Sequence, residues 1–247
     1  MSESVIRVNR ICVDYDGKSI LNEVSFNVKN GEIFVIVGPS GCGKSTLMRQ
    51  MIGIESPSSG SVFIEEENLT ESYGKRRIDI LSKFGILFQS SGLISSMTIA
   101  ENIALVLEKY KTLSSNSIND IIDLKLKAVG LSGAGALLPS ELSGGMKKRA
   151  GIARAMTLDP SILFFDEPSS GLDPLSSAQL DKLIIELNNA LGTTMVVVTH
   201  DLASIRNISH RIIMLDRSLK GIIATGSFDE LKSSNNETVR KFFNREC

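Results

Sequence analysis

The apolar run Ile33-Phe34-Val35-Ile36-Val37 passes directly into Gly38-Pro39-Ser40-Gly41-Cys42-Gly43-Lys44-Ser45, and then into Thr46-Leu47-Met48-Arg49-Gln50-Met51. A short run of Val, Ile and Phe suits a buried strand, and the segment from Ser45 onward has helical periodicity. A strand that becomes a helix across so short a turn, in a chain where strand and helix go on alternating, implies α/β layers around a mostly parallel sheet. Glycines in the turn let backbone N–H groups converge with no Cβ in the way, and the helix dipole adds positive potential at the same place. The spacing G-x-x-x-x-G-K-[ST] is that of a phosphate cradle and predicts a bound nucleotide. At average glycine content a chance match in a chain this long is roughly a one-in-a-hundred event. Lys44 is expected to bridge the β- and γ-phosphates, Ser45 to hold Mg²⁺, and Thr46 to donate to the α-phosphate.

The rest of the chain repeats the rhythm. Apolar runs over Gly85 to Gln89, Ile162 to Glu167, Met195 to Asp201 and Arg211 to Asp216 read as buried strands, several followed by helix-period segments. Residues 90–156 break it, with helical stretches and no strand; one helix opens on Thr98 and Glu101 in capping-box spacing. They read as a helical insertion between 1–89 and 157–247. The first thirty residues, with turns at Asp16-Gly17 and Asn30-Gly31, read as an antiparallel β edge. The last residues read as two short helices, the first boxed by Ser227 and Glu230.

Charge bounds the partners. Lys and Arg number 27 against 28 Asp and Glu, which argues against a dedicated nucleic-acid binder. Met1 to Arg10 lacks the apolar core of a signal peptide, and no apolar run approaches the roughly 18 residues of a membrane span. The expected location is the cytosol, or a membrane surface where a partner holds the chain. Cys12, Cys42 and Cys247 are widely spaced and read as reduced thiols. Cys42 stands within the cradle, where a helix N-terminus lowers a thiol's pKa; alkylation is therefore expected to block nucleotide binding, beside a plainer reading as a small filler residue.

The strand ends carry further chemistry. Asp166 and Glu167 close the run Ile162 to Glu167; beside a phosphate cradle they read as a Mg²⁺-holding carboxylate and a carboxylate that polarises the attacking water, against a solvated strand terminus. His200 follows Val198-Thr199 and is placed to donate to the γ-phosphate or the water, against a packing or helix-start role. Gln89 leaves its strand as a residue that could position water or Mg²⁺. Glu141 to Met156 sets Ser143, Gly144 and Gly145 directly before a helix whose first turns hold Lys147, Lys148 and Arg149, and cations there ask for an anion nearby.

Leu142-Ser143-Gly144-Gly145-Met146 resembles the signature motif of ABC ATPases, and it precedes Ile162 to Glu167 at that family's spacing. In the same resemblance Gln89 matches the Q-loop, Ser170-Gly171-Leu172-Asp173 the D-loop, His200 the switch histidine, and Tyr15 the aromatic that stacks on adenine. It covers essentially the whole chain in order. Leu87 to Asn102, Pro139 to Met156 and Ser169 to Pro174 are similar to the ATPase subunits of MCE-type lipid transporters, the Mla phospholipid system among them, where Met146 is the usual residue. Ser91-Gly92-Leu93-Ile94 departs from that branch's Gly-Ala-Leu-Phe, and the sequence ends at Cys247, short of the C-terminal tail some members extend across the dimer.

The resemblance implies an α/β fold: a P-loop NTPase core with a mostly parallel sheet, an antiparallel β edge subdomain and an inserted helical subdomain. It implies catalytic roles for Glu167, His200, Gln89 and Lys44, with Mg²⁺ on Ser45, Gln89 and Asp166. ATP would lie on Tyr15 and Gly38 to Thr46 of one copy, and against Ser143, Gly144, Gly145 and Asp173 of a second in a head-to-tail dimer. Lys147, Lys148 and Arg149 would then tune the field or face partners. The remaining implied partners are an integral membrane permease at the inner face of the cell membrane and an MCE-domain lipid-binding protein, and a STAS-domain regulator stays open. An ATPase of a small-solute importer and a nucleic-acid-directed ABC protein are the alternatives.

Overall fold

A computed structural model describes residues 3–246. Strands β1 (Ser4–Tyr15) and β2 (Lys18–Lys29) form a hairpin closed by Asp16 and Gly17, whose φ values of 49° and 74° suit a primed two-residue turn. Strand β3 (Ile33–Val37) leads into helix α1 (Lys44–Met51). Next come β4 (Ser59–Ile64), β5 (Glu67–Asn68), helix α2 (Gly74–Leu81) and β6 (Phe84–Leu87). Helices α3 (Ile99–Tyr110), α4 (Ser115–Ala128) and α5 (Gly144–Ala155) separate β6 from β7 (Ile162–Asp166). The chain ends through α6 (Pro174–Leu191), β8 (Thr194–Val198), α7 (Leu202–Ile208), β9 (Arg211–Asp216), β10 (Gly221–Gly226), α8 (Phe228–Lys232) and α9 (Glu237–Asn244).

Six strands form the main sheet in the order β10-β9-β3-β8-β7-β6, parallel except where β10 meets β9. The antiparallel strands at the start of the chain make a sheet of their own, β2-β1-β4-β5, recruiting β4 and β5 from beyond the first helix. The Asn30-Gly31 turn therefore carries the chain between sheets, with Gly31 N donating to Thr194 Oγ1 at 2.9 Å.

Every residue of β3 is buried, so its side chains feed a core on each face of the main sheet. Phe34 and Ile36 join Phe164, Val196, Val198 and Ile213, packed against α1 and the antiparallel sheet. Val35 and Val37 join Leu163, Phe165, Val197 and Met214, packed against α3 to α7 and α9. Helix ends follow their sequence signals: Thr98 Oγ1 accepts from Glu101 N at 3.2 Å while the Glu101 carboxylate accepts from Thr98 N at 2.7 Å, and Ser227 with Glu230 repeats the box. No helix among the described residues is long and apolar enough to cross a membrane.

Among the glycines, the tightest site lies where α5 packs on β6. A Cβ added at Gly85 would lie 1.9 Å from Ala155 O, a main-chain atom that cannot swing aside. Gly85→Ala is therefore expected to lower stability by about 1–3 kcal/mol through overpacking, read as a lower denaturant midpoint in equilibrium unfolding.

A candidate nucleotide-binding site

Because β3, β8, β7 and β6 are parallel neighbours, their C-terminal ends open on one edge of the sheet, where α/β folds bind ligands. That edge gathers the cradle after β3, His200 after β8, Asp166 and Glu167 at the end of β7, and Gln89 after β6.

In the cradle two glycines are obligatory. Gly38 has φ 146°, and a Cβ there would stand 2.4 Å from Leu215 O; Gly43 has φ 100°, and a Cβ there would stand 2.7 Å from Leu21 Cδ2. Gly43 is also the N-cap of α1 and brings no side-chain acceptor, leaving the first-turn amides to an incoming anion. Lys44 Nζ folds back to donate to Gly38 O at 2.7 Å and Pro39 O at 3.2 Å. Tyr15 borders the same depression as Gly41, Gly43, Lys44, Ser45 and Thr46. Its hydroxyl hydrogen-bonds Glu55, which pairs with Arg49 at 3.3 Å; the Glu55 hydrogen bond raises the phenol's pKa.

Cys42 is 1% exposed, and burial pushes its thiol up, outweighing Lys44. The expected reactive thiol is thus corrected: the cradle lowers a thiol's pKa only if the sulfur stays in the polar mouth, and this sulfur packs inward among apolar side chains. Cys12 is half-buried; Cys247 lies outside the described residues.

The catalytic-type pair is formed within the chain. Glu167 Oε1 lies 2.8 Å from His200 Nδ1, with the histidine side chain largely exposed and the glutamate largely covered. Glu167 adopts φ 47°, uncommon for a non-glycine residue, and its N–H donates to Val198 O at 2.8 Å. Asp166 Oδ1 is buried and accepts no hydrogen bond. Burial, and then the Glu167 charge, hold the Asp166 carboxyl above the usual carboxylate range. A buried carboxylate oxygen without a donor is a hard oxygen ligand of the kind Mg²⁺ takes, and together with the Ser45 hydroxyl and the Gln89 amide oxygen it makes a donor set whose chemistry fits the ion. Gln89 Nε2 donates to Ser170 Oγ at 3.3 Å.

The signature residues form a second group. Ser143 caps α5, its Oγ accepting from Met146 N at 3.3 Å. Asp173 caps α6, accepting from Leu175 N and Ser176 N at 3.0 Å each. A Cβ at Gly144 would meet Leu172, and one at Gly145 would meet Ser176, so both lie beside the start of α6. Among the described residues no hydrogen bond joins Ser143, Gly144, Gly145 or Asp173 to Lys44, Asp166, Glu167 or His200.

Of the three cations expected to tune the field or face partners, Lys148 points inward: it is 5% exposed, and Nζ donates to Gln89 O at 2.7 Å and Glu167 O at 3.3 Å. Burial lowers its pKa, opposed by Asp166 and Glu167. The signal lay in helical spacing, since Lys148, Gly151 and Ala155 recur at i, i+3 and i+7 on the face toward β6. Glu55 and Arg49 carried no comparable signal. Ser91, where the similar branch has glycine, adopts φ 69°, a region that favours glycine.

Two outcomes follow from burial. Without metal, Asp166→Asn is expected to raise the thermal midpoint by a few degrees while abolishing the further rise that Mg-nucleotide gives the wild type, both read by thermal unfolding. A raised carboxyl pKa means the folded state binds the extra proton, so wild type loses stability relative to this variant as pH rises above the ordinary value of 3.8. Cys42 is expected to resist iodoacetamide in the folded chain while Cys12 is modified, as peptide mass spectrometry would read.

The family model described as ABC transporter matches residues 21–170. Over 239 residues the chain is 38% identical to the probable ribonucleotide transport ATP-binding protein mkl of Mycobacterium tuberculosis, covering 97% of this chain and 66% of that protein, just under two thirds of its length. It is 40% identical to the intermembrane phospholipid transport system ATP-binding protein MlaF of Escherichia coli K12, over 91% of this chain and 83% of that one. Among solved structures, the dimeric post-hydrolysis ATP-binding cassette MJ0796 bound to ADP and Pi matches with TM-score 0.81 at 30% identity, over 90% of this chain and 98% of that one. The cassette cbiO1 of Clostridium perfringens, part of the complex cbiONQ, matches with TM-score 0.84 at 28% identity, over 98% and 96%. With its cradle, strand-end carboxylates and capped signature helix on one such scaffold, the chain belongs to the ABC transporter family.

Proposed function

We propose that this chain is the ATP-hydrolysing subunit of a phospholipid transporter, working as a head-to-tail dimer under an integral membrane permease, with an MCE-domain protein handling lipid. The observation that carries the hydrolytic part is Glu167 held 2.8 Å from His200 at the mouth of a phosphate cradle, next to the orphaned Asp166 oxygen. The lipid part is supported by Met146 in the signature and by likeness to MlaF, extending in the Haemophilus influenzae protein to 36% identity over 100% of this chain.

In this reading the amides of Gly38 to Ser45 and the Lys44 ammonium bind the β- and γ-phosphates, and Tyr15 packs on the adenine. Ser45, Gln89 and Asp166 would hold Mg²⁺, which when bound would neutralise charge at the phosphate oxygens. Glu167 orients a water and takes its proton as the water oxygen bonds to the γ-phosphorus; the bond to the bridging oxygen of ADP breaks, and phosphate leaves. His200 fixes the Glu167 carboxylate through Nδ1. Ser143 and Gly145 N–H of a second copy contact the γ-phosphate, with Asp173 at the same junction, so ATP favours the closed dimer. Hydrolysis removes that preference and reopens it. Residues 90–156 act as the helical unit that passes closure to the permease; Asn102 shapes its entry by donating to Ile94 O, Met97 O and Thr98 O at 3.1, 3.1 and 2.9 Å.

Glu167→Gln is expected to lower turnover by at least about 100-fold and to leave an ATP-bound dimer visible by size-exclusion chromatography. Wild-type turnover in that variant, or a monomer at saturating Mg-ATP, would sink the mechanism. The cargo is tested by gentle extraction of the tagged chain from native membranes: a permease with an MCE-domain protein supports lipid transport, and a nucleotide or small-solute permease rejects it.

A further inference from the structure

Burying an ammonium ion costs several kcal/mol unless its surroundings repay it, and an apolar side chain of similar length would fill the same space. Lys148 nevertheless stands at 5% exposure on the inward face of α5. Its two hydrogen bonds go to main-chain carbonyls, at 2.7 Å to Gln89 O and 3.3 Å to Glu167 O, and no carboxylate pairs with it directly among the described residues.

The location of those carbonyls is informative. The last paired residues of the β6–β7 ladder are Leu87 and Phe165, so Gln89 and Glu167 both lie beyond the point where the sheet holds its strands in register. The ammonium bridges the two strand-end segments there. Glu167 needs such support, because its φ of 47° is a strained conformation that survives only when the surroundings over-determine it. Its N–H is held by Val198 O and its carbonyl by Lys148 Nζ and Ser170 N, the latter at 3.1 Å.

The same helix is fixed against β6 along its length. A Cβ at Gly151 would lie 2.6 Å from Leu87 Cδ1 and 2.7 Å from Ser91 O, and Ala155 O crowds Gly85. The segment bearing Gln89 and the peptide of Glu167 are thus both held by α5. At its other end this helix is capped by Ser143.

We propose that Lys148 is a positioning residue that fixes the main chains of Gln89 and Glu167, and so ties the helix headed by Ser143 to the hydrolytic carboxylate of the same chain. This rests on the reading of the site as ATP-hydrolysing. In a head-to-tail dimer, Ser143 meets the nucleotide held by the second copy while Glu167 serves the nucleotide of its own, so Lys148 lies on the connection between the two sites.

The test compares the full chain with Lys148→Met and Lys148→Arg in ATP turnover, equilibrium binding of a fluorescent ATP analogue, and thermal midpoint. Lys148→Met is expected to lower kcat about 10- to 100-fold with analogue affinity changed by less than about twofold, and Lys148→Arg, which keeps charge and donors, to restore most of the turnover. In a Glu167→Gln background, which hydrolyses little, Lys148→Met should still form the ATP-driven dimer. If Lys148→Met does not fold, Lys148→Gln carries the same comparison. Unchanged kcat in the neutral variant, no recovery with Arg, or loss of nucleotide binding and dimer in step with turnover overturns the proposal. A wild-type chain with no Mg-ATP turnover overturns the underlying reading of the site instead.

Discussion

The structure depends on β3 being buried on both faces. Its five apolar side chains divide between two cores, which fixes the strand in the middle of the main sheet and leaves no freedom in where it ends. The cradle begins at that end, where Gly38 has backbone atoms of β9 in the place a Cβ would occupy. A loop clamped this closely keeps its amides aimed before any anion arrives, and such preorganisation is what lets hydrogen bonds to phosphate yield net affinity. Parallel pairing extends the constraint to β8, β7 and β6, so residues far apart in sequence meet at one edge without any loop reaching across.

Against that rigid frame the polar end of β7 is held in an unfavourable state. Asp166 has a buried oxygen with no donor, Glu167 has a left-handed backbone, and burial together with the Glu167 charge raises the cost of ionising Asp166. A chain selected only for stability would not keep these features together. They are consistent with a site completed by cationic and phosphate ligands, which would relieve the charge where the protein does not.

The cradle, the strand-end acids and the capping boxes were legible in the sequence because each is a local pattern whose chemistry acts within a few residues. The four-stranded sheet was legible only in its first hairpin: β4 and β5 are short, lie beyond α1, and join β1 through a pairing that local periodicity does not encode. Cys42 misled because motif position fixes the backbone of a cradle residue but not which way its side chain packs. For Lys148 the motif left open whether it tunes the field or faces a partner, and the helical phase it shares with Gly151 and Ala155 is what sets it against β6.

Two helix N-termini in this chain are built in opposite ways. That of α1 starts at Gly43 with no side-chain cap, so its amides await a ligand; that of α5 starts at Ser143, whose hydroxyl already satisfies Met146 N. A serine in that position can still turn its proton outward to an acceptor while its lone pair holds the helix. Among the described residues no hydrogen bond joins the two termini, and in the proposed mechanism each presents half of a phosphate site. Closing both halves on one γ-phosphate requires a second copy, which is the physical reason that a head-to-tail pair, and not a single chain, is the smallest complete unit in the proposed mechanism.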